Sequence, residues 1–185
     1  TEMLAGLALK YLFFRRLRLL FTSAAQRRHS GYTRWLIRRM DAVIATSQTS
    51  AGFLERRATV IRHGIDLSHF RPEEDKPALR ARLGLPDRTL VGIVGRIRGQ
   101  KGTDVFVRAL LQALQKAPDL HGVVIGRATS QHAAFRDGLL TEIDRAGAMD
   151  RFTFIEELDW PDLVAHYRAL DIFCAPALVE GFGLT

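Results

Sequence analysis

The sequence predicts an α/β protein built on parallel sheets, and three features carry that prediction. Short apolar runs ending in Thr, Ser or Gly recur along the chain, helix-patterned segments separate them, and the connections are short. The 185 residues are 47% apolar and 25% charged, an ordinary globular composition able to bury a core without disulfide or metal. The one cysteine, Cys174, lies in the apolar run Asp171-Ile-Phe-Cys-Ala-Pro176 and reads as a small buried hydrophobe. With no partner in the chain, it fits a reducing compartment.

Taken in order, residues 3–21 are apolar but hold Lys10, Arg15, Arg16 and Arg18. Those charges exclude an uninterrupted span of ~20 apolar residues, and the small-residue cleavage pattern of a secretory signal is absent. A helix packed on its own sheet explains the pattern as well as one lying on a membrane surface, apolar side to lipid and arginines to headgroups. Residues 19–22 and 42–46 read as buried parallel strands, with a helix at 32–40 between them and another short strand at 58–61. Residues 71–77 are charged and proline-marked with no apolar period, so a domain junction falls there. This divides the chain into domains at 1–72 and 89–185 with a linker at 73–88.

Beyond the junction the alternation becomes regular. Strands are predicted at 89–95, 122–126, 152–155 and 171–175. Helices are predicted at 104–116, where Val105, Phe106, Ala109, Leu110, Ala113 and Leu114 share one face, at 133–146 and at 161–170. Such sheets bind ligands outside the carboxyl ends of their strands, so the loops beginning at Gly95, Gly126, Ile155 and Ala175 are the places to look.

Charge is distributed unevenly. Residues 1–72 hold 13 Lys and Arg against 4 Asp and Glu, a net of +9; residues 73–185 hold 14 against 16, a net of −2. A cationic first segment points to an anionic partner: nucleic acid, a membrane surface or a phosphorylated substrate.

The first of the loops reads Gly95-Arg-Ile-Arg-Gly-Gln-Lys-Gly102 and opens a helix. Its glycines let the backbone turn and approach a ligand, the helix start offers unpaired amides, and Arg96 and Lys101 add positive charge. Together they suit a phosphate or diphosphate. Gln100 and Ile97 stand where nucleoside-triphosphatase and dinucleotide motifs need glycine. The last loop reads Pro176-Ala-Leu-Val-Glu180-Gly-Phe-Gly-Leu-Thr185. Here Glu180 can accept hydrogen bonds from ligand hydroxyls while Gly181 and Gly183 free nearby amides. A sugar joined to a diphosphate would use both loops.

These motifs carry a resemblance. Val94-Gly-Arg96 with Lys101-Gly102, then Pro176 and Glu180-Gly-Phe-Gly183, resemble the C-terminal domain of glycosyltransferase family 4. His63-Gly-Ile-Asp66 and Phe70-Arg-Pro72 resemble its interdomain segment. The resemblance implies the GT-B fold of two Rossmann-like parallel-sheet domains, and a retaining, metal-independent enzyme without cofactor. It gives Arg96 and Lys101 the donor diphosphate and its leaving charge, and Glu180 the sugar hydroxyls beside the amides of Phe182, Gly183 and Leu184. Ile155 and Glu156 fall near the nucleotide base, with Gly95, Gly102, Gly126 and Gly181 completing the donor set. Family members usually carry a second glutamate at the equivalent of position 188 and a glycine-rich loop before the equivalent of Thr1, so both domains are expected to be incomplete. Gly126-Arg-Ala also replaces the more usual Gly-Asp-Gly. Many members carry a histidine just after the strand equivalent to 19–22; here that stretch is Thr22-Ser-Ala-Ala, with His29 the nearest candidate.

Within the family, residues 22–33 and the cationic first segment are most similar to bacterial lipopolysaccharide core mannosyltransferases. That likeness implies a hexose, mannose from GDP-mannose, passed to an anionic glycolipid. Arg27, Arg28, His29 and Arg34 are then candidates for the acceptor, and the protein is expected in the cytoplasm, peripheral at the inner membrane. A UDP-sugar enzyme with another acceptor stays open, as does a non-enzymatic basic module binding nucleic acid. The last would interleave basic residues with exposed aromatics, whereas here the arginines share a helix with core-like apolar residues.

Overall fold

The computed structural model describes residues 2–178, which form two compact units dividing between Gly64 and Ile65. The first unit holds a parallel three-stranded sheet in the order β1-β2-β3: β1 (Leu20–Ser23), β2 (Ala42–Ala45) and β3 (Thr59–Val60). Three helices accompany it: α1 (Glu2–Tyr11), α2 (Gly31–Ile37) and α3 (Gln48–Gly52). Ser30 caps α2 by accepting from the Thr33 amide. The far end of α2 is closed by Arg56, which donates to the carbonyls of Ile37, Arg38, Met40 and Asp41. Leu7 of α1 joins Leu36, Ile37, Met40 and Val43 in one small core. Asp41 ties α1 to β1 by accepting from Lys10 Nζ (2.6 Å) and the Leu19 amide (2.6 Å).

The second unit is a two-faced parallel sheet in the order β6-β5-β4-β7. Its strands are β4 (Thr89–Val94), β5 (Leu120–Ile125), β6 (Phe152–Ile155) and β7 (Ile172–Phe173). The intervening helices are α5 (Thr103–Leu114), α6 (Ala133–Arg145) and α7 (Trp160–Ala169). Alternation along the strands separates two cores. Val91, Ile93 and Val124 pack with Phe106, Val107 and Leu110 of α5 and with Leu139 and Ile143 of α6. Leu90, Val123 and Ile125 pack with Ala169 and Leu170. Strands buried on both faces in this way read as continuous apolar runs.

The expected linker at 73–88 contains a helix, α4 (Lys76–Leu83). Asp75 caps it by accepting from the Ala78 amide, Pro77 occupies its first turn, and Gly84 closes it in the left-handed conformation. Pro77 belongs to the proline-marked stretch that suggests a junction, but proline suits the first turn of a helix, where its missing N–H has no intrahelical role. Leu79 and Leu85 belong to the core under α7, so this segment is part of the second unit. Arg80 anchors it from a nearly buried position, its side chain 7% exposed. It donates to the Ala169 carbonyl (2.9 and 3.1 Å) and to Asp171 (2.5 Å).

Candidate functional site

Among the described residues the strand order sets β7 beside β4. β4 pairs with β5 on one side and β7 on the other, so the chain reverses direction across the sheet at β4, the place where such sheets form a binding crevice. The loops after β4 and β7 touch there: the Leu178 amide donates to the Gln100 carbonyl at 3.1 Å. Gly102 makes that approach feasible, since a Cβ on it would lie far inside van der Waals contact with the Pro176 carbonyl oxygen. Gly102 also sits at φ +70°, where it closes the turn Gly99–Lys101 and opens α5 with no side-chain cap. The first amides of α5 are therefore not taken by a capping side chain.

Beside this junction β4 and β5 end in step. The Gly95 amide donates to the Ile125 carbonyl (2.9 Å), and the Gly126 amide to the Ile155 carbonyl (2.8 Å). Gly126, at φ +144°, leaves no room for a Cβ against the Gly95 carbonyl. These strand ends floor an open cavity of about 380 Å³. Gly95, Arg96, Gly126 and Glu156 line it, as the sequence reading expected, together with Arg127, Thr129, Glu157, Leu158 and Leu163, which that reading missed. Ile155 lies in an adjoining hollow of about 170 Å³ that Gly126 and Glu156 share. Lys101 is not in the cavity wall, but its aliphatic stem passes Gly95: a Cβ there would be 3.8 Å from Lys101 Cδ. Arg127 and Glu157 form an ion pair on the rim (3.7 Å). Glu180, Gly181, Phe182, Gly183 and Leu184 lie outside the described residues.

In the first unit the acceptor candidates separate. His29 packs edge-on against Phe21 and its Nε2 lies 3.4 Å from Ser23 Oγ at the carboxyl end of β1. Arg34 and Arg38 both pair with Glu55, and Arg39 stacks 3.7 Å over the Trp35 ring. The Glu55 carboxyl is held below its usual range by hydrogen bonds from Arg34 and then Arg38. Arg27 and Arg28 are exposed. Among the described residues no helix is long and apolar enough to cross a membrane.

Comparison with known proteins agrees with this geometry. The family model "Glycosyl transferases group 1" matches residues 75–185. Over all 185 residues the chain is 52% identical to the lipopolysaccharide core biosynthesis mannosyltransferase LpcC of Rhizobium leguminosarum bv. viciae and covers 52% of it; it spans about half the length of the curated relatives it matches. Among solved structures, the C-terminal domain of a group 1 glycosyl transferase, LpcC from Francisella tularensis, is 37% identical. It matches with a TM-score of 0.62 over 65% of this chain and 63% of that one. Anabaena HepE, crystallised with UDP and glucose, is 22% identical and matches with a TM-score of 0.79 over 97% of this chain and 51% of its own. That second likeness concerns the fold, which is GT-B.

Proposed function

We propose that this chain, which belongs to the group 1 glycosyl transferases, is part of a retaining hexosyltransferase that passes mannose from GDP-mannose to a lipopolysaccharide core or similar anionic glycolipid. The observation that carries the reading is 52% identity, across the whole chain, to a protein named a lipopolysaccharide core biosynthesis mannosyltransferase. The cavity at the strand ends of the second unit supports it with suitable chemistry.

In this reading the nucleoside diphosphate lies along the carboxyl ends of β4 and β5. As the bond from the sugar's anomeric carbon to the diphosphate breaks, negative charge grows on the departing oxygen. Arg96 in the cavity wall, Lys101 with its stem beside Gly95, and the uncapped amides of α5 would take up that charge. Fixed donors of this kind lower a barrier by several kcal/mol because they need no reorganisation as the reaction proceeds. They supply the charge a divalent ion would otherwise bring, which is the basis for proposing activity without metal or other cofactor. Glu180 then holds the donor's hydroxyls, and the amides of Phe182, Gly183 and Leu184 share the sugar.

The acceptor falls to the first unit, where Arg27 and Arg28 are exposed for an anionic group and Arg34 would first have to release Glu55. The same unit suits peripheral contact with the inner face of the cytoplasmic membrane. Leu12, Phe13 and Phe14 are 72%, 66% and 86% exposed beside Arg15, Arg16 and Arg18, apolar groups for the lipid boundary next to cations for its headgroups.

The test is kinetic. In the full-length enzyme, Arg96→Ala and Lys101→Ala are each expected to lower turnover at least about tenfold, a loss of ~1.4 kcal/mol of transition-state stabilisation, while the melting temperature barely moves. Unchanged turnover in both variants refutes the assignment.

A further inference from the structure

We infer that Arg127 and Glu157 read the nucleobase of the donor and select guanine; this rests on the proposal that the cavity takes a nucleoside diphosphate. The two side chains stand on the loops that leave adjacent strands, β5 and β6, and meet at the cavity rim with Nη2 and Oε2 3.7 Å apart. Their side chains are 62% and 74% exposed. An exposed pair this loose contributes little to stability, so exchanging it for ligand contacts costs little. The Arg127 backbone is held in place meanwhile, because its carbonyl accepts from the Ile97 amide at 3.2 Å. The guanidinium can turn while its attachment stays fixed.

The sign of the rim argues for a base here instead of a phosphate. Two carboxylates, Glu156 and Glu157, face the cavity on the β6 side, and both would repel a phosphate. A neutral ring with donors on one edge and acceptors on the next suits a carboxylate and a guanidinium side by side, and Leu158 and Leu163 in the same wall suit its apolar faces. Guanine alone among the usual bases engages both heads twice. Its O6 and N7 accept from a guanidinium in bidentate fashion. On the neighbouring edge N1–H and the N2 amine point parallel donors at a carboxylate. Uracil has a single N–H flanked by two carbonyls, which would face the carboxylate unfavourably. Adenine has an amine flanked by acceptor nitrogens, with no pair of parallel donors.

The experiment is calorimetric titration of GDP, UDP and ADP into the full-length enzyme and its Arg127→Ala and Glu157→Gln variants, with melting curves alongside. The unsubstituted enzyme is expected to prefer GDP. Each variant should lose about tenfold in GDP affinity, the scale of one good bidentate base contact, with UDP affinity roughly unchanged and no shift in melting. Equal losses for GDP and UDP would make Arg127 a phosphate contact and overturn the inference, as would GDP affinity that neither variant alters. Lys101→Ala separates the two proposals, since it should weaken GDP and UDP alike. If it does so while both rim variants are silent, the donor site stands and base reading falls. If the full-length enzyme binds no nucleoside diphosphate, both fall.

Discussion

Gly84 and Gly102 offer a matched comparison of what close approach at the donor loop is worth. Their backbones are nearly superposable, at φ 68°, ψ 23° and φ 70°, ψ 26°. Alanine in this left-handed region costs roughly 1–2 kcal/mol, offset by about 0.4–1 kcal/mol from the restricted unfolded chain. At Gly84 nothing lies within 4 Å of the added methyl, so Gly84→Ala should cost only ~1 kcal/mol. At Gly102 the methyl meets the Pro176 carbonyl, and the β7 loop must retreat by about an ångström. Overpacking of this kind costs about 1–3 kcal/mol, and losing the Leu178–Gln100 hydrogen bond adds about 1 kcal/mol. The expected difference between the two variants is therefore ~2–4 kcal/mol. At about 3 °C per kcal/mol, Gly84→Ala should melt ~3 °C lower and Gly102→Ala ~10 °C or more. Circular dichroism melting measures the stability, and GDP titration should show weakened binding for Gly102→Ala alone. Equal melting shifts would refute the reasoning, because they would mean that the two loops are not braced against each other.

Other outcomes are expected elsewhere. Turnover should survive excess chelator, and dependence on added magnesium or manganese would displace Arg96 and Lys101 from their proposed role. His121 is buried, and burial followed by the charges of Arg88 and Arg151 pushes its pKa down. Its unfolded form binds a proton that the folded form resists, so the second unit should lose stability as pH falls below about 6.5; a flat pH profile between 7 and about 5 would contradict this. Binding to anionic vesicles should weaken as salt rises, and Phe13→Ser with Phe14→Ser should reduce it without altering GDP affinity; indifference to lipid charge and to both substitutions would remove the membrane contact.

The second unit was legible because its strands are buried on both faces. Residues 152–155 were placed without error, and β4 and α5 to within two residues. What escaped was local chemistry read with the wrong emphasis. Asp75, Pro77 and Gly84 together spell a capped helix, yet the charged composition around them suggested a linker. Arg96 and Gly126 could be found from glycine-rich strand ends. Arg127 and Glu157 could not, since each looks like a solvated surface charge until the strand order sets β5 beside β6. For the same reason Arg34 reads as a free cation for the acceptor, although Glu55, 21 positions away, pairs with it and with Arg38. Long-range pairing of this kind leaves no trace in spacing.

The anchoring of α4 by Arg80 bears on how the molecule assembles. Arg80 and Lys76 reach partners 89 to 95 positions later: the Ala169 and Leu170 carbonyls and the Asp171 carboxylate. Asp171 in turn accepts from the Leu90 amide near the start of β4. While the chain emerges from the ribosome, α4 therefore has no seat, and a guanidinium destined for burial waits in water until residues 89 to 95 positions later have been made. Contacts of such large sequence separation are slow to form, and the apolar side of α4 stays uncovered until they do. The short connection entering β7 thus acts as a clasp on α4, and the two are fastened late and at once.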